Sequence, residues 1–187
     1  MRFHILTAAV VWLALPPMAQ DHLTPGQGKW TDLGGVGTLI DRQADAYVAA
    51  NAALFMSPSY GLGIKRSGQG WLLAGGTEYL SPERGGTVHR DKCRAVVPIK
   101  TGDRILQLWK KALSHTAPSS TEIVLDGTYY TFATRGGALT GTIVSPLPTS
   151  RKMTALVAVS NTLLDVCRSA KYVPELEHQI DQLLPVI

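Results

Sequence analysis

The chain has 187 residues, 45% of them hydrophobic and 17% charged, with a formal net charge of +4. That composition suits one domain with a core of its own, and it excludes a disordered, collagen-like or low-complexity chain. Past the first twenty residues no apolar run approaches the roughly 18 residues that a membrane span needs.

Met1-Arg2-Phe3-His4 makes a short, mildly positive start, and Ile5 to Leu15 is apolar without a charge. Pro16-Pro17 would break a helix, and Met18-Ala19-Gln20 leads into a polar stretch at Asp21. This is the order of a secretory signal peptide. Eleven apolar residues rise only about 16 Å as a helix, against a bilayer core of roughly 30 Å. Residues 1–19 are therefore expected to be a signal peptide cut after Ala19, with Pro17 an awkward residue three positions back from the cut. An uncleaved anchor or a buried N-terminal helix is the alternative. Residues 20–187 are expected to form a single globular domain, periplasmic or secreted.

In chain order, residues 20–38 lack periodicity and read as a loosely ordered lead-in. Ile40, Ala44, Tyr47, Val48, Asn51 and Leu54 recur at three and four, which predicts a helix over about 41–56. Leu62–Arg66 and Trp71–Ala74 read as two strands joined through Ser67-Gly68-Gln69-Gly70. A strand at about 93–99 leads into a second helix, with Thr101 or Asp103 as cap and Ile105, Leu108, Trp109 and Ala112 on its apolar side. Glu122–Leu125 and Thr128–Thr134 flank Asp126-Gly127, a dipeptide suited to a type I′ hairpin. After Arg135-Gly136-Gly137 a third strand, Leu139–Ser145, completes an expected meander over 121–145. A helix over about 150–170 follows, capped by Thr149 or Ser150. A short last helix has Pro174 in its first turn and Leu176, Ile180, Leu183 and Leu184 along one side. Strands and helices do not alternate regularly. The expected class is therefore α+β, a small antiparallel sheet packed by about four helices on one face.

The two cysteines fall on core-facing positions. Cys93 alternates with Ala95, Val97 and Ile99, while Cys167 shares helical spacing with Met153, Leu156, Leu163 and Leu164. In an oxidising compartment they are expected to bond to each other across a strand–helix interface. Two inert buried thiols are the alternative.

Motifs of nucleotide chemistry fail. Gly35-Val36-Gly37, Gly61-Leu62-Gly63 and Gly68-Gln69-Gly70 lack the third glycine of a dinucleotide fingerprint, and no Gly-Lys-Ser/Thr occurs. No serine has the G-x-S-x-G context of a nucleophile elbow. His89-Arg90-Asp91-Lys92-Cys93 is the most chemically loaded stretch, since an extended backbone puts His89, Asp91 and Cys93 on one side. Those residues are candidates for a thiolate–imidazole pair or a three-ligand metal site. Same-side neighbours stand roughly 7 Å apart, however, and a bonded Cys93 is neither nucleophile nor ligand. His22, His115 and His178 are isolated, and no H-x-x-x-H or C-x-x-C pair occurs, so no metal or cofactor is expected.

Residues 84–111 carry Arg84, Arg90, Lys92, Arg94, Lys100, Arg104, Lys110 and Lys111 against Asp91 and Asp103, while residues 172–187 carry Glu175, Glu177 and Asp181 and no Lys or Arg. Arg90, Lys92 and Arg94 point away from the apolar side of their strand, and such a basic strip suits an anionic envelope polymer, a lipid head group or an acidic protein. The plain alternative is a solvated face balanced in part by the acidic last helix. Nucleic acid is not expected, because no aromatic platforms interleave with the basic residues. The functional expectation is a non-enzymatic envelope or secreted protein that acts by binding, as an inhibitor or accessory factor. The alternative is an envelope hydrolase or transferase using His89 and Asp91.

Overall fold

The computed structural model describes residues 21–26, 30–53, 57–81, 86–118, 127–145 and 150–187. The expected signal peptide and the expected strand at 122–125 lie outside the described residues.

The turn at Gly68-Gln69 joins β3 (Ser59–Ser67) to β4 (Gly70–Ser81), with Ser67 facing Gly70 across the register. Both strands run well past the lengths expected from their apolar cores. β5 (Thr87–Val97) returns along nearly the whole of β4, from Ser81 opposite Thr87 to Trp71 opposite Val97. A second hairpin joins β6 (Thr128–Thr134) to β7 (Thr140–Ser145) through Arg135-Gly136-Gly137. Gly136 and Gly137 hold φ values of 68° and 72° there, a region that side-chain-bearing residues avoid.

β2 (Ala46–Ala52) lies between these hairpins and pairs antiparallel with both β3 and β6. The expected helix over 41–56 is thus, in its described part, a turn region over 41–45 followed by this strand. Ala46, Val48 and Ala50 bury toward one side of the sheet, and Tyr47 and Ala49 toward the other. A strand buried on both faces shows no apolar–polar alternation, so chance spacings of three and four imitated a helix. β1 (Thr24–Pro25) pairs with β7 and closes the far edge. The order is β1-β7-β6-β2-β3-β4-β5, a seven-stranded antiparallel sheet in place of a small one. Both flanks of β6 are occupied, by β7 and by β2.

Three α-helices cover one face: α1 (Ile99–Ser114), α2 (Arg151–Arg168) and α3 (Val173–Leu183). Their stripes, with Ile105, Trp109, Leu156, Leu163, Leu176 and Ile180 fully buried, meet Val48, Leu62, Leu73 and Phe132 of the sheet. Ser150 caps α2, its Oγ accepting from Met153 N at 3.4 Å. Thr101 and Asp103 do not cap α1, whose N-cap is Pro98. Thr101 donates instead to Glu177 of α3, and Asp103 accepts from the Trp71 indole at 3.0 Å.

A 3-10 segment, Trp30–Leu39, lies on the opposite face, so the helical cover is not confined to one face as expected. Leu33, Val36, Leu39, Ile40 and Ala44 bury there against Tyr47, Ala49 and Ala133. Glycine admits the close approach: a Cβ on Gly61 would stand 2.7 Å from the Val36 carbonyl oxygen. Within the stretch read as a loose lead-in, Leu23 is wholly buried and the backbone of Thr24 and Pro25 is in the sheet. Among the described residues no helix is long and apolar enough to cross a membrane.

Candidate functional site on the outer strand

Every residue singled out in the stretch 89–94 lies on β5, the outer strand of the sheet. Alternation sorts them into two rows. His89, Asp91 and Cys93 share the side that faces the helices, and Arg90, Lys92 and Arg94 share the other.

On the helix side, Cys93 is bonded to Cys167 of α2, with the two Cα atoms 5.4 Å apart. The expected strand–helix bridge is present. It removes Cys93 as nucleophile or metal ligand. The His89 ring stacks on Tyr79, its cross-strand partner, at 5.5 Å between centroids and 21° between planes, and its Nε2 is buried without a hydrogen-bond partner. Asp91 is exposed and lies opposite the buried Thr77, whose hydroxyl accepts from Arg168 of α2 at 3.3 Å. Among the described residues no hydrogen bond or ion pair joins His89 to Asp91, so the strand does not form an imidazole–carboxylate pair. Nor do three His, Cys, Asp or Glu side chains converge as a ligand set among the described residues.

On the opposite side, Arg90 pairs with Glu78 of β4 at 2.7 Å. Lys92 and Arg94 are exposed and make no ion pair among the described residues. The register explains the difference: Arg90 lies across from Glu78, but Lys92 lies across from Gly76 and Arg94 from Ala74. The row ends in two exposed valines, Val88 and Val96. The acidic last helix balances the basic stretch in part, at α1, where Asp181 pairs with Arg104 and Glu177 accepts from Thr101; among the described residues it makes no ion pair with the row on β5. Among the described residues, Lys92 and Arg94 therefore remain as unpaired positive charge on the outermost strand of the sheet.

A second polar group was invisible in the sequence. The hydroxyls of Tyr60 on β3 and Tyr130 on β6 both donate to Oδ1 of Asn161 on α2, at 3.0 and 3.4 Å. Their rings meet edge to face at 6.4 Å. Burial pushes both phenol pKa values up, that of Tyr60 further, with Tyr130 and the Asp165 carboxylate adding to it. Both phenols stay protonated donors at neutral pH, and with Asn161 they bind α2 to the sheet. Tyr130 facing the core was legible from its parity with Phe132; its convergence with residue 60 and residue 161 was not. Inside the core, a void of about 10 Å³ lies between Val48, Leu62, Trp109 and Leu163, apolar and no larger than a water. It has neither the room nor the polar groups for chemistry.

Comparison with protein-family models, with curated proteins and with solved structures finds no match to this chain.

Proposed function

We propose that the chain works outside the cytoplasm as a disulfide-stapled, non-enzymatic binding protein, an inhibitor or accessory factor whose partner is another exported protein. The observation that carries this reading is the Cys93–Cys167 bond. Disulfides of this kind persist in oxidising compartments and are uncommon where thiols are kept reduced. The bridge fastens the outer strand to α2, which fixes the surface most open to a partner. Among the described residues its side chains suit a recognition surface more than a reaction centre: Lys92 and Arg94 without ion pairs on one side, and no acid–base pair from His89 and Asp91 on the other.

The test is made on the protein isolated from its native cells. Intact mass and thiol alkylation should give a chain beginning at Gln20, with both cysteines unreactive until a reductant is added. A chain that keeps Met1 and alkylates at both cysteines without reductant overturns the reading. Alanine at His89 should leave partner recovery under gentle cross-linking unchanged. Loss of an enzymatic activity in that variant would favour a hydrolase or transferase instead.

A further inference from the structure

We infer that β5 is a docking edge that takes up an extended acidic segment of another protein as an eighth strand, paired through its backbone and selected by Lys92 and Arg94. The inference rests on the binding-protein reading and names the partner's chemistry. The two edges of the sheet differ greatly: β1 offers two residues and β5 offers eleven. An antiparallel strand turns every second N–H and C=O away from its neighbour, so along residues 88–97 the outer side of β5 presents a row of donors and acceptors that no other described residue takes up. Among the described residues, the backbone of residues 88–97 makes no hydrogen bond outside its ladder with β4.

Such an edge invites pairing, and its side chains decide with what. A second copy of the chain, laid antiparallel on β5, would set one basic row against another, and like charges across a strand pair destabilise it. An incoming strand with Glu or Asp at alternate positions would place its carboxylates beside Lys92 and Arg94, where β4 supplies only Gly76 and Ala74. Arg90 contributes less, since Glu78 already holds it. The edge is also prepared in advance. Cys93 is tied to α2 and β5 is hydrogen-bonded to β4 along its length, so little ordering of the protein opposes docking. Charge on a long edge strand can serve simply to keep other strands away. An acidic strand is the case in which the same charges attract.

The experiment uses the oxidised full-length mature protein and dye-labelled peptides of about ten residues that alternate Glu with Thr or Val. The controls are the same compositions with proline at two inner positions, which removes ladder donors, and an anionic polysaccharide. Fluorescence anisotropy at low salt should show the alternating peptides binding about tenfold more tightly than their proline versions. The double variant K92E/R94E should weaken that binding about tenfold or more, while K110E/R151E, an equal charge change on exposed residues of α1 and α2, should alter it less than about twofold. Amide hydrogen exchange should slow across residues 88–96 on binding.

Equal binding of proline and alternating peptides, or equal competition by the polysaccharide, would mean a mere polyanion patch and overturn the proposal. So would failure of every acidic peptide to bind, or dimerisation through β5 in sedimentation. The peptide result is independent of where the protein is found. A chain that keeps Met1 and free thiols in its cells yet binds the alternating peptides once oxidised would sink the export reading alone.

Discussion

The two faces of the sheet are closed by different means. On the helical face large side chains do the filling: Trp109, Phe132, Leu62, Ile105 and Leu156 interlock, and the indole N–H of Trp109 donates to the Tyr47 carbonyl at 3.0 Å. On the other face the 3-10 segment lies against alanines and glycines, and a methyl group at Gly61 or Gly63 has nowhere to go. One face holds by volume and the other by proximity. The first should weaken when atoms are removed, the second when they are added.

The largest effect is expected from Trp109→Ala, which removes a wholly buried ring in edge-to-face contact with Phe132 at 5.2 Å. It should cost about 3–5 kcal/mol in denaturant unfolding, enough to unfold a marginal domain. Replacing Cys93 and Cys167 together by serine should cost about 4 kcal/mol on the chain-entropy model, read as a lower unfolding midpoint than that of the oxidised parent. Gly61→Val should cost less, about 1–3 kcal/mol, because the segment above it has to lift. If Gly61→Val proved neutral, or costlier than Trp109→Ala, the contrast between the faces would not stand.

The smallest effect concerns pH. Tyr60 has its folded pKa raised, chiefly by burial. Above about pH 10 an unfolded tyrosine loses its proton while the folded one keeps it. The stabilisation is therefore complete below that pH and is lost as pH rises through the folded value. Tyr60→Phe should lower stability by about 1 kcal/mol at neutral pH, through the lost bond to Asn161. It should also flatten the decline above pH 10, with Tyr130 and Tyr47 keeping part of the slope. An unchanged alkaline slope would place the sensitivity elsewhere.

This contrast also explains what the sequence revealed. α1, α2 and α3 were legible because each has to present an apolar stripe to a sheet, and a stripe leaves a period of 3.6. The bridge was legible for the same reason, since both cysteines fell on core-facing positions. β2 was not, because a strand buried on both faces has no alternation to read, and its small residues carry no strong preference. Nor was the covering role of Trp30–Leu39, where packing depends on absent Cβ atoms. At the outer strand, parity separated Arg90, Lys92 and Arg94 from His89, Asp91 and Cys93. That Arg90 finds a carboxylate, and that Lys92 and Arg94 find none among the described residues, required the register with β4, a relation no local pattern encodes. The convergence on Asn161 required three distant segments to be in place at once.

The covalent tie between the outermost strand and α2 also bears on assembly by exchange. Two copies that traded β5 would each have to part it from β4 while Cys93 stayed fastened to its own Cys167. Oxidation therefore opposes interlocked, domain-swapped dimers, and reduction would be the condition under which they could form.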